Sequence, residues 1–138
     1  MTIDSLIRNL PALLTAAFVA ILFIQSGLDK IFDWNGNLAW LKDHFAKTPL
    51  SRLVPLMLLK ITILETATGL LSAAGIIYFL VTGSLSVMFV AGILGALAIL
   101  GLFFGQRVAK DYAGAAVLVP YFIVMLILIA LTGPYARL

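Results

Sequence analysis

Four stretches of this chain, residues 10–32, 54–80, 84–104 and 111–131, are apolar over lengths that decide what it can fold into. A helix needs about 20 predominantly apolar residues to cross the hydrocarbon core of a bilayer. The first stretch is uncharged until Asp29, the second is interrupted only by Lys60 and Glu65, and the third carries no charge. Inside lipid every backbone N–H and C=O must be satisfied within its own segment, which selects helices for such runs. The expectation is an all-α polytopic membrane protein: a bundle of four transmembrane helices in up-down-up-down order, forming one domain over residues 1–138. Charged residues make up only 11% of the chain, whereas soluble domains carry about a quarter, so a water-facing surface could not be covered.

The first apolar run follows Arg8, as a secretory signal would, but it continues past any plausible cleavage point and is expected to be a retained helix. Pro11 and Pro55 sit near helix starts, where a missing N–H costs little. Pro120 falls inside the fourth run and predicts a kink. Tight turns are expected at 82–84 and 105–110. The one long connection, residues 33–53, places Trp34, Leu38, Leu41 and Phe45 at spacings of three and four, with Lys42, Asp43 and Lys47 elsewhere. That pattern predicts a short amphipathic helix in the headgroup layer, with Asn37 as N-cap and Thr48-Pro49 as stop. Small residues recur four apart, at Gly69/Ala73, Ala91/Gly95, Gly92/Ala96 and Gly101/Gly105, and are read as packing between helices of the same chain.

Several function classes fall away. With no cysteine, this chain offers no disulfide exchange, thiolate nucleophile or Cys-ligated metal site. Its one histidine, His44, does not make a His-rich metal site, and no metal is expected. A net charge of +3 spread over scattered residues lacks the basic stripe that nucleic-acid binding requires. The lipid bilayer is the partner that composition demands.

Charge placement is more informative than charge count. The face where the first and third helices end, here called side B, collects Asp29, Lys30, Asp33, Lys42, Asp43, Lys47, Arg52, Lys60, Arg107, Lys110 and Asp111. Side A holds only the N-terminal amine, Asp4, Arg8 and Arg137. The excess of Lys and Arg outside the apolar runs places side B in the cytoplasm and both termini outside.

Glu65 lies about 15 Å along its helix from Pro55, near the middle of a core about 30 Å thick, and its short side chain cannot snorkel to water. Lys60, about 7–8 Å in, can. A carboxyl at such depth needs a partner, a proton or a cavity, and is read either as a functional group or as a paired packing residue. Gln25, about 10 Å from side B, is the expected neighbour, with Lys30 as the cross-helix cation. A polar lining of Gln25, Asp29, Lys30, Glu65 and Gln106 is therefore expected to face the bundle interior. Gln25 and Asp29 share one helix face by their spacing of four, as do Ser26 and Lys30. Lys30, Lys60, Arg107 and Lys110 also read as interfacial anchors, Asp111 as the N-cap of the fourth helix and His44 as a solvated loop residue.

The segments Gln25-Ser26-Gly27-Leu28-Asp29-Lys30, Glu65 with Gly69, and Gly105-Gln106-Arg107-Val108-Ala109-Lys110-Asp111-Tyr112-Ala113-Gly114-Ala115 resemble the DoxX family of small four-helix membrane proteins. Together with the spacing of the helices, the resemblance covers nearly the whole chain. It implies the four-helix architecture in a bacterial inner membrane and association with redox systems, since DoxX-like proteins include a subunit associated with thiosulfate:quinone oxidoreductase. Three functions follow as expectations. The first is an accessory subunit of a quinone-linked redox system, with no cofactor in the chain itself but a bound quinone or other apolar small molecule held by Gln25, Glu65 or Gln106; its partners would be redox-enzyme subunits or further copies of the chain. The second is a non-catalytic binding or assembly protein. The third is a proton or small-solute transporter using Glu65.

Overall fold

The computed structural model describes residues 1–136. All regular structure there is helical: α1 (Ile3–Arg8), α2 (Leu10–Phe32), α3 (Trp34–His44), a 3-10 turn at Ser51–Leu53, α4 (Val54–Thr82), α5 (Ser86–Val108) and α6 (Tyr112–Thr132). Four of these, α2, α4, α5 and α6, are long and apolar enough to cross a membrane. The chain is an integral, multi-pass membrane protein built as a four-helix bundle. Arg137, counted on side A from sequence, lies outside the described residues.

Local chemistry explains most helix ends. Thr2 caps α1, its Oγ1 accepting from the Ser5 N–H at 3.2 Å. This short helix was not expected from sequence. Pro11 and Pro55 fall in the first turns of α2 and α4. Gly83 ends α4 in the left-handed region at φ 75°. The α5–α6 turn is tighter than 105–110, because α5 continues through Val108. Lys110 takes the left-handed position at φ 57°, its N–H donating to the Arg107 carbonyl at 3.2 Å, while the Asp111 N–H donates to the Gln106 carbonyl at 2.9 Å. These are the two bonds of a Schellman stop, here with lysine where glycine is usual. Asp111 then begins α6 as expected, Oδ1 accepting from the Gly114 N–H at 2.8 Å. α6 runs unbroken through Pro120.

The helix in the long loop exists but starts earlier than expected. Its N-cap is Asp33, and Asn37 instead sits in the first turn, its Nδ2 donating to the Asp33 carbonyl at 2.8 Å. Trp34, Leu38 and Leu41 are half-buried and Phe45 is buried, so the apolar stripe faces the bundle.

Around the bundle α2 packs on α4, α4 on α5 and α5 on α6, while α6 leans only lightly back on α2. Glycines set the approach of the backbones. A Cβ on Gly69 would lie 2.6 Å from the Ile24 nitrogen, one on Gly75 2.9 Å from the Met88 nitrogen, and one on Gly95 3.0 Å from the Thr68 methyl. The Gly101/Gly105 pair departs from the packing expectation. Nothing lies within 4 Å of a Cβ on Gly101, and Gly105 meets the Phe45 ring of the loop rather than a helix. The apolar core, with Ala16, Val19, Phe23, Phe79, Met88, Met125 and Leu128, fills the centre and the side A half.

These contacts also fix the vertical register. Gly27 lies against Thr66 and Ile24 against Gly69, so the end of α2 at Phe32 is level with about Ile61 of α4. Gly75 lies against Met88 and Thr68 against Gly95, so the end of α5 is level with about Pro55. On side B, α2 therefore stops about 9 Å short of α4 and α5. α3 lies in the resulting notch and closes it, packing on α2 and α4 and reaching the end of α5 through His44 and Phe45.

Candidate functional site

α2 carries two polar pairs at a spacing of four, and packing sends them to different faces. The bundle face of α2 is a stripe of mostly small residues, Ala12, Ala16, Val19, Ala20, Phe23 and Gly27. Gly27 lets α4 approach until Thr66 touches it. Ser26 and Lys30 flank this stripe on the inward side, and both meet Glu65. The Lys30 ammonium lies 2.7 Å from Glu65 Oε2. The Ser26 hydroxyl donates to the same oxygen at 3.1 Å and accepts from Lys30 at 3.0 Å. Lys30 also donates to the Ser26 carbonyl at 3.4 Å.

This triangle is nearly sealed. Glu65 is 3% exposed and the Lys30 side chain 17%. The charges neutralise each other where an isolated ion would be costly, and the serine adds a hydrogen bond on each side of the pair. Both contacts fall on Oε2, which leaves Oε1 to accept from another donor. The estimate of about 15 Å holds along α4, but α2 ends only about 6 Å above the carboxylate. The short path from Glu65 to side B thus runs beneath α3. Beside it, the Thr66 hydroxyl is buried without a hydrogen-bond partner among the described residues. Thr62 and Thr68, on the same helix, instead donate to the backbone carbonyls of Leu58 and Leu64, each at 2.7 Å.

Gln25 and Asp29 do not join this cluster, so the expected common lining of the bundle interior does not form. Both are exposed on the outward face of α2, where Gln25 Nε2 donates to Asp29 Oδ2 at 2.8 Å. They sit in a shallow, open groove on the surface of α2, lined by residues of that helix alone, with Ala20, Ile21, Ile24, Leu28 and Phe32 as its apolar part.

Gln106 is also absent from the Glu65 cluster. Its Oε1 lies 2.8 Å from His44 Nε2, and His44 lies 3.8 Å from Asp111 Oδ2. His44 is not the solvated loop residue expected. It stacks on Trp40 at 4.6 Å between centroids and meets Phe45 edge-on at 5.0 Å. This third cluster fastens the end of α3 to the α5–α6 turn. Arg107 is exposed, with its guanidinium 4.5 Å from the centre of the Tyr112 ring.

Sequence reasoning missed Ser26 and His44 as members of polar clusters. A signal existed for each: Ser26 precedes the glycine that brings α4 close, and His44 lies four residues after Trp40. No group of three or more metal-ligating side chains gathers among the described residues. No family model, curated protein or solved structure matches this chain. The fold and its clusters define the class: a small polytopic membrane protein with a buried ion pair and a hydrogen-bonded polar pair exposed on the outward face of α2.

Proposed function

We propose that this protein is a DoxX-like accessory subunit of a quinone-linked membrane redox system, holding a quinone or a similar apolar carbonyl compound against α2. The supporting observation is the outward groove, where Gln25 and Asp29 form a hydrogen-bonded pair beside an apolar wall. A lipid-soluble ring needs an apolar surface and one or two polar groups to orient its carbonyls. Only one N–H of the Gln25 amide is engaged by Asp29, so the other can donate to a carbonyl oxygen. Access is lateral, from the lipid, so no channel is required. Glu65 and Gln106 lie apart from this groove and play no part in the binding.

The same reading places the chain in a bacterial inner membrane with side B in the cytoplasm, where Lys42, Lys47, Arg52, Arg107 and Lys110 are exposed. A C-terminal reporter active only outside the cytoplasm is expected to be active, and a reporter active only inside would reverse the orientation.

The test of function is chemical. The protein is purified in mild detergent, extracted with organic solvent, and the extract assayed for quinone. Wild type is expected to carry quinone and Gln25→Leu to lose most of it while remaining folded. A quinone-free extract together with a stoichiometric co-purifying polypeptide would replace this reading with that of an assembly protein.

A further inference from the structure

We infer that Arg52 and Lys60 hold the headgroup of an anionic phospholipid on the outward face of α4. Both side chains are exposed, and among the described residues neither has a carboxylate within ion-pair distance. They lie eight residues apart across the start of α4, about 12 Å along the axis. Leu56, between them, and Ile63, a turn further in, are 48% and 59% exposed, so the same face offers acyl chains an apolar track.

Depth makes the arrangement selective. The register with α2 puts Lys60 level with the end of that helix, while Arg52 stands beyond the start of α4. Lys60 thus lies below the top of the α4 wall, from where its ammonium snorkels up toward side B, and Arg52 meets it from the headgroup layer. A phosphodiester between them satisfies both cations, and its chains run down past Leu56 and Ile63. Basic residues placed this way recognise acidic lipids by charge, and a zwitterionic headgroup brings its own cation to the same place. The lone cations Lys42 and Lys47 are exposed on α3 and the following loop, without such an apolar track assigned to them. This inference is independent of the quinone reading, since it uses another helix and no shared residue.

Native mass spectrometry of the whole chain, released from mixed phosphatidylglycerol and phosphatidylcholine, reads the site directly. Wild type is expected to retain one phosphatidylglycerol with about tenfold preference over phosphatidylcholine. Arg52→Gln with Lys60→Gln removes the preference, Lys60→Arg keeps it, and the control pair Lys42→Gln with Lys47→Gln leaves it intact. Equal retention of the two lipids by wild type overturns the inference. So does an equal loss in the control pair, which would make the effect a general field of side B. Displacement of the lipid by inorganic phosphate alone would make this a free-phosphate site and also overturn it. Because both substituted residues are exposed, unchanged helicity and monodispersity of the double variant are expected and are measured alongside.

Discussion

The two polar pairs of α2 begin at adjacent residues and meet opposite fates. Gln25 and Asp29 bond to each other and face outward; Ser26 and Lys30 turn inward and bond to Glu65. One step along a helix rotates a side chain by about 100°, enough to move a polar group from lipid to seam. What decides the phase is not the polar residues but the small ones beside them. Gly27 lets α4 come close at Thr66, and Ser26 on one side of it is carried into the seam while Leu28 on the other stays exposed. The inward pair is therefore a part of the packing, and the outward pair is available to something else.

The comparison is tested most severely at Lys30. Lys30→Met leaves the Glu65 carboxylate buried without its cation, and we expect about 3–5 kcal/mol of destabilisation. Lys30→Met combined with Glu65→Leu should recover most of that loss. Reversible unfolding in mixed micelles measures both, and a double variant as unstable as the single one would mean that the pair is not what holds the seam. Next in size is Gly27→Val, which overpacks against Thr66 and is expected to cost about 1–3 kcal/mol while leaving the Gln25–Asp29 pair in place. Ser26→Ala removes both hydrogen bonds of the hydroxyl from the triangle but no charge, and about 1–2 kcal/mol is expected from the same measurement. The smallest effect belongs to the outward face. Gln25→Leu should change stability by less than about 0.5 kcal/mol, as surface substitutions do. If it destabilised the bundle as much as Lys30→Met, the contrast between the faces would be lost.

The architecture was legible because it depends on features that lipid enforces on a single segment. Four apolar runs gave four spanning helices, and the stripe Trp34, Leu38, Leu41 and Phe45 gave α3. The site was legible only in outline. Glu65 was recognised as buried and in need of a partner, a proton or a cavity, and Lys30, the cation named for it, is its partner. Helical spacing also showed that Gln25 goes with Asp29 and Ser26 with Lys30, but spacing cannot say which pair faces α4. That choice belongs to the contact between Gly27 and Thr66, which involves a second helix. The apparent isolation of Glu65 rested on one helix as well. Counted along α4, the residue is deep. Beside the early end of α2 it is close to side B, and relative helix heights are set by packing register. His44 escaped for a similar reason, because its partner Gln106 is 62 residues away in sequence.

The early end of α2 also bears on the lipid around the protein. A bilayer adjusts its thickness to the apolar height of the wall it touches, at a modest cost for each ångström of mismatch. Along α4 and α5 that wall is tall on side B; along α2 it is about 9 Å lower, topped by the polar edge of α3 and the exposed ring of Trp40. The leaflet on side B should dip there, bringing headgroups down toward Asp29. The protein would then shape the membrane asymmetrically around its circumference, with the thinnest point over its outward groove.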